Sequence, residues 1–202
     1  MSKRKRAGTD CLPISIFDVP VLKEIKLIIW ILIIIAAVLL DQISKLLVVN
    51  FLDREEPFVI IKNIFQFTYV ENDGAAFGSF DDKPWVFMIA STVLIVGLLI
   101  YLIKFRPESK LACVSIAMII GGGIGNMIDR IRLGYVIDFL DFCAFGKYWV
   151  WVFNIADAFV CVGCGLMLLW CIISMIQDYK TEKAKKNASN EEADIEVEEE
   201  QN

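Results

Sequence analysis

The chain has 202 residues, of which 57% are hydrophobic, six are cysteine and none is histidine. The missing histidine excludes Ser-His and Cys-His catalysis, histidine-held haem and the common histidine-rich zinc sites. The formal net charge of −5 misleads as a global figure, because much of it lies in the closing run EEADIEVEEE.

The hydrophobic residues come in long blocks rather than scattered, which is the pattern of an integral membrane protein. Residues 1–24 are polar and mixed, with Pro13 and Pro20, and read as a cytosolic N-terminal extension. The opening MSKRKR is basic, but no apolar run follows closely enough for a cleaved signal peptide. A first span is expected over 25–49, where Leu27–Leu40 is an unbroken apolar run. Asp41 and Lys45 are four residues apart, so they share a helix face and can pair. The bland alternative is a lysine snorkelling at the helix end beside a casual partner.

Residues 51–83 change character. Phe65, Phe67 and Tyr69 alternate with Gln66 and Thr68, a strand period. The small-residue turn Asn72-Asp73-Gly74-Ala75-Ala76-Phe77-Gly78 follows. The expectation is a small extracytoplasmic β region, with an ordinary connecting hairpin as the equal alternative. Pro84 is well placed to start a second span, 84–103. Lys104, Arg106 and Lys110 surround Pro107 in a short loop. The third span, 111–128, contains Gly121, Gly122, Gly123 and Gly125, which let helix backbones approach closely. They are no phosphate loop, since no strand precedes them and no Lys-Ser/Thr follows. Residues 129–147 read as a polar connection, and Tyr148, Trp149, Trp151 and Phe153 as an interfacial aromatic belt. A fourth span is expected over 158–176. From 179 to 202 the chain is charged and reads as a disordered cytosolic tail. Cys161 and Cys164 have CxxC spacing but fall mid-span among apolar residues, where packing is favoured over redox or metal chemistry.

Four spans with both termini in the cytosol satisfy the distribution of Lys and Arg. On that topology Asp41, Lys45, Asn72, Asn126, Asp129, Arg130, Asp138, Asn154 and Asp157 all gather at one level, the outer surface of the bilayer. Polar groups at a membrane boundary are costly unless used. Two carboxylates held close cannot both ionise cheaply, so they share a proton and can activate water against a peptide bond. Asp138 and Asp157 lead as that pair, with Asp129 and Asp141 as further candidates. Arg130, Asn126 and Asn154 would supply orienting hydrogen bonds.

Five segments, Asp41-Gln-Ile-Ser-Lys45, Asn72-Asp-Gly-Ala-Ala-Phe77, Gly125-Asn-Met-Ile-Asp-Arg130, Val136-Ile-Asp-Phe139 and Phe153-Asn-Ile-Ala-Asp157, occur in the order of the lipoprotein signal peptidases (signal peptidase II, bacterial membrane aspartic peptidases), and the chain resembles that family over 25–178. The resemblance implies an all-α membrane fold of four transmembrane helices with a small extracytoplasmic β-sheet cradle between helices 1 and 2. It implies Asp138 and Asp157 as the catalytic dyad, and Asp41, Lys45, Asn72, Gly74, Asn126, Arg130 and Asn154 as binding or supporting residues. Ser44 stands where the family often has Thr, and keeps the hydroxyl. The implied substrate is a diacylglyceryl-modified prolipoprotein, cut just before its lipid-bearing cysteine. No metal or other cofactor and no nucleic acid is implied. The expected setting is the bacterial inner membrane, with membrane lipid as neighbour and a monomeric chain. The alternative function is a small proton-coupled transporter, against which stands the clustering of carboxylates at one surface.

Overall fold

The computed structural model describes residues 20–73, 84–144 and 152–200. In chain order the elements are α1 (Pro20–Phe51), β1 (Phe58–Ile61), β2 (Phe65–Asn72), α2 (Pro84–Phe105), α3 (Lys110–Leu133), β3 (Val136–Asp141), β4 (Val152–Phe153) and α4 (Ile155–Glu200). Each helix contains a stretch long and apolar enough to cross a membrane: Leu27–Phe51, Met88–Phe105, Lys110–Leu133 and Ile155–Asn187. Four spans are therefore present as expected, with different ends. α3 carries on past residue 128 to Leu133, taking Asp129 and Arg130 into the helix. Asp129 is tolerated there because it is ion-paired. The charged segment from 179, expected to be disordered, continues α4 as helix as far as Glu200. Its Ala, Lys and Glu residues are strong helix formers, and Glu182 precedes Lys186 by four.

α3 is the pivot of the bundle and packs on α1, α2 and α4. The apolar core lies around it, built from Trp30, Ile95, Leu102, Cys113, Ile116, Ala117 and Ile120. The outward faces of α1, α2 and α4 expose Leu, Ile and Val throughout, the surface a helix offers to lipid. Cys161 and Cys164 are on such an outward face. The glycines of α3 act as the sequence suggests. A Cβ on Gly122 would strike the Ala156 carbonyl of α4, and one on Gly125 would come within 2.7 Å of Asp41 Oδ2. The second contact matters for function, because it lets a carboxylate of α1 press against the backbone of α3.

The four strands form one antiparallel sheet in the order β1-β2-β3-β4. The hairpin β1–β2 is the expected β region, with Asn63 at φ 62 in its turn, a conformation asparagine tolerates. The second half of the sheet comes from the connection between α3 and α4, which the sequence reading leaves as a polar loop. Val136-Ile-Asp-Phe-Leu-Asp141 has strand-forming residues, but the two aspartates mask the pattern, and its pairing partner lies more than sixty residues away. Val70 pairs with Asp138 and Asn72 with Val136, with a bulge between Phe67 and Val70. The sheet thus stands at the end of the bundle where α1 and α3 finish and α4 begins.

Close packing at α3 gives a test. Gly122→Leu should destabilise the protein by at least about 1–3 kcal/mol, the usual range for overpacking. Gly165→Ala, at a position with open space around it, should be neutral or slightly stabilising. Thermal unfolding in detergent reads both; equal melting temperatures for the two variants would contradict the packing.

Candidate active site

At the sheet end of the bundle, α1, α3 and α4 converge on a polar cluster of which Asp41, Lys45, Asn126, Asp129, Asp138 and Asn154 are buried. The Lys45 ammonium has three N–H groups and three acceptors: Asp41 Oδ2 at 2.9 Å, Asp129 Oδ2 at 2.8 Å and Asn126 Oδ1 at 2.9 Å. The remaining lone pairs of the two aspartates are met by donors. Asp41 Oδ1 accepts from the Ala156 amide at 2.9 Å, and Asp129 Oδ2 also accepts from the Ile137 amide at 3.2 Å. Gln42 Nε2 donates to Asp129 Oδ1 at 2.9 Å, and to Asp41 Oδ2 and the Gly125 carbonyl at 3.2 Å each. Among the described residues no buried side-chain polar atom lacks a partner.

Asn154 precedes α4 and caps it. Its Oδ1 accepts from the Asp157 amide at 2.9 Å, while Asp157 Oδ2 accepts from the Asn154 amide at 3.3 Å. This is the reciprocal arrangement of a capping box, with Asp in the third helical position. The Asn154 side chain also donates to Asp138 Oδ1 at 2.6 Å and to Asn126 Oδ1 at 3.0 Å. Asn126 in turn donates to Asp157 Oδ1 at 2.7 Å. Its orientation is dictated, since two donors, Lys45 and Asn154, face its oxygen. Asn72, at the end of β2, donates to Asp138 Oδ2 at 2.7 Å. Asp138 and Asp157 are thus joined through one residue, Asn154, and each has donors on both oxygens.

Burial pushes the Asp138 carboxyl up to about 6. The nearby charge of Asp157 adds to the rise, while Asn72, Asn154 and the charge of Lys45 pull the other way. Such a carboxyl can hold or release a proton near neutrality, as proton-transfer chemistry requires.

Eight of the nine residues singled out from the sequence meet here. Asp41, Lys45, Asn72, Asn126, Asn154, Asp138 and Asp157 are hydrogen-bonded or ion-paired within the cluster, and Arg130 lies where its charge acts on Asp157, Asp138 and Asp129. Gly74 lies outside the described residues. The candidate carboxylates divide clearly. Asp129 is occupied by Lys45 and the Ile137 amide. Asp141 accepts instead from Gln66 at 2.7 Å and Thr68 at 2.9 Å, across the sheet. Neither is joined to Asp157 as Asp138 is. Gln42 was missed. Its only signal was its position next to Asp41, three residues before Lys45, and an amide in a helix carries no chemistry of its own.

Residues 33–173 match the family described as signal peptidase (SPase) II. A lipoprotein signal peptidase of Halothermothrix orenii is 44% identical over 139 residues, 69% of this chain and 92% of that protein. One of Caldanaerobacter subterraneus subsp. tengcongensis is 47% identical over 133 residues, 66% of this chain and 88% of that protein. Among solved structures, a bacterial membrane enzyme determined by the in meso method at 2.3 Å superposes with a TM-score of 0.64. It is 31% identical and covers 74% of this chain and 88% of its own.

The hydrogen bond from Asn72 favours the ionised form of Asp138, so its loss must raise the proton affinity. Asn72→Ala should move the Asp138 titration above 6. Infrared absorption of the protonated carboxyl, assigned by its disappearance in Asp138→Asn, follows this directly. A titration at or below that of the parent would show that Asn72 does not stabilise the carboxylate.

Proposed function

The chain belongs to the signal peptidase II family, and from that premise we propose that it removes the signal peptide from diacylglyceryl-modified prolipoproteins, using Asp138 and Asp157 as an aspartic dyad. The observation that carries the assignment is the junction at Asn154, which donates to Asp138 from its side chain and to Asp157 from its backbone.

The chemistry follows from the pair. The reaction needs one proton on the pair, and an Asp138 carboxyl raised to about 6 keeps a protonated fraction near neutral pH. The ionised member takes a proton from water as the oxygen attacks the scissile carbonyl carbon. The neutral member gives its proton to the carbonyl oxygen, forming a tetrahedral diol. On collapse the C–N bond breaks, the leaving nitrogen takes up a proton, and the dyad returns to its singly protonated state. The signal peptide leaves with a new carboxyl group, and the cysteine keeps its lipid and gains a free amino group. Arg130 contributes positive charge beside both aspartates. Asn126 and Asn154 hold the carboxylates in register, and Asn72 supports Asp138 from the sheet. Gly74, two residues beyond Asn72 in sequence, is proposed to shape the turn against the substrate.

The lipid-bearing substrate fits the setting. The polar cluster stands at one end of four apolar helices, so a scissile bond at the membrane surface can reach it while the signal helix and acyl chains stay in lipid. The outer end of α1 and the hairpin form an open apolar cleft lined by Leu47, Val48, Phe51, Leu52, Phe58 and Phe67, and every residue of β1 is exposed and apolar. That surface suits contact with the membrane. Lys104, Arg106 and Lys110, together with Lys180, Lys183, Lys185 and Lys186, flank the opposite ends of the helices. This favours a multi-pass protein of the bacterial inner membrane with cytosolic termini and the dyad outside. The proton-coupled transporter finds no support: the relatives are peptidases, and the carboxylates do not cross the bilayer.

Purified protein in detergent or liposomes should cleave a diacylglyceryl-modified prolipoprotein. Asp138→Asn and Asp157→Asn should each lower the rate at least about a hundredfold, the typical span of an acid–base group. Parental cleavage by either variant would remove that residue from the dyad. The same substrate without its lipid should be cut more slowly; equal rates would refute recognition of the diacylglyceryl group.

A further inference from the structure

Two buried carboxylates in the cluster have parallel tasks that the cleavage chemistry does not use. Asp129 holds the amide of Ile137, the residue immediately before Asp138, at 3.2 Å. Asp41 holds the amide of Ala156, the residue immediately before Asp157, at 2.9 Å. Each carboxylate therefore grips the backbone one residue ahead of a dyad member, from a different helix. Lys45 bridges the two grips with its charge. Gln42 bridges them a second time, with its amide.

We propose that Gln42 is a positioning residue of the dyad: by tying Asp41 to Asp129, and both to the Gly125 carbonyl, it fixes how far apart the backbone grips on Ile137 and Ala156 stand, and so the separation of Asp138 and Asp157. All three partners of Gln42 Nε2 are acceptor oxygens, so this position requires a donor. Glutamate, its nearest isostere, would set a further carboxylate against them. One ammonium between two carboxylates leaves a net negative charge, and Lys45 has no proton left for the second oxygen of Asp129 once Asn126 is served. Without Gln42 that oxygen is buried without a donor. The ammonium would then be drawn towards Asp129 and away from Asp41 and Asn126. α1 and α3 would keep only the Lys45 tie, now shifted, and the two grips would move relative to each other. Gln42 itself touches neither member of the dyad, so the consequence falls on the chemical step and not on substrate binding.

This inference rests on Asp138 and Asp157 being the dyad, and its test separates the two. Cleavage of a lipid-modified prolipoprotein is measured for the full chain and for Gln42→Met, Asp129→Leu, the double variant and Asp157→Asn. Gln42→Met should lower kcat by on the order of tenfold to a hundredfold with KM within about twofold of the parent. In the Asp129→Leu background, where one grip is already gone, Gln42→Met should add little. A parental kcat in Gln42→Met beside an inactive Asp157→Asn overturns the positioning role alone. The same factor lost in both backgrounds also overturns it, and points to general destabilisation. An Asp157→Asn that cleaves like the parent overturns the dyad and this inference together. Should Gln42→Met not fold, as judged by its elution profile and melting in detergent, Gln42→Glu takes its place with the same outcomes, since it keeps the size and replaces the donor with an acceptor.

Discussion

A lysine ammonium at the rim of a lipid-facing bundle is the constraint on which the rest of this structure depends. Lys45 is nearly devoid of solvent contact, and an ammonium so buried is tolerated only when its charge is matched and its protons are used. Both conditions are met by residues from two helices: Asp41 from its own, and Asp129 and Asn126 from α3. Withdrawing the ammonium itself would leave two carboxylates buried together with no counter-charge, and losing one partner of a buried charge pair costs about 3–5 kcal/mol. Packing alone lets helices in lipid slide and rotate with small penalties, since lipid is as apolar as leucine. The ammonium removes that freedom for α1 and α3.

The same interaction reaches the proposed dyad. Asp41 extends its hold to the start of α4 through the Ala156 amide, where the helix dipole favours a negative neighbour. Asp129 extends it to β3 through Ile137. Asp138 stands on β3 and Asp157 on α4, and the pairing of β4 with β3 brings the start of α4 beside the strand. Side chains then set their relation: Asn154 between them, and Lys45 and Asn126 behind. This explains why the site carries so many asparagines. A neutral amide supplies a donor and an acceptor together, so it can link carboxylates without adding charge.

Much of this was legible in the sequence, for identifiable reasons. The apolar blocks gave four helices, since only helices or closed barrels satisfy the backbone in lipid. Pro84 marks the start of α2, and the alternation at Phe65–Tyr69 marks β2. The proposed dyad was less legible from residues alone: Asp138 and Asp157 led only modestly over Asp129 and Asp141, which the fold gives to Lys45 and to Gln66 and Thr68. Resemblance had already ranked them, but the physical reason is a matter of which partner each carboxylate meets. β3 was hidden because its pairing is non-local and its two aspartates broke the apolar pattern. Gln42 was hidden because its three partners come from two helices and only the folded bundle unites them.

α2 is instructive by contrast. Among the described residues it contributes no side chain to the polar cluster, and it packs on α3, with Ile95 in the core. Its role is to close the remaining face of α3, so that the helix holding Asn126, Asp129 and Arg130 is surrounded by protein rather than by lipid. Burial at that end of the bundle has two effects. It lowers the local dielectric, which strengthens each hydrogen bond in the network. Burial of Asp138 on β3, against α1 and α3, disfavours its charged form in the same way and raises the carboxyl to about 6. A carboxyl left open to water would be almost wholly ionised at neutral pH, whereas one raised to about 6 keeps a protonated fraction that the proposed chemistry can use. A site sealed without donors would leave neither carboxylate ionised to accept a proton from water. The asparagines and Lys45 hold Asp138 between those limits, so the bundle's packing and the chemistry proposed for the dyad follow from the same burial.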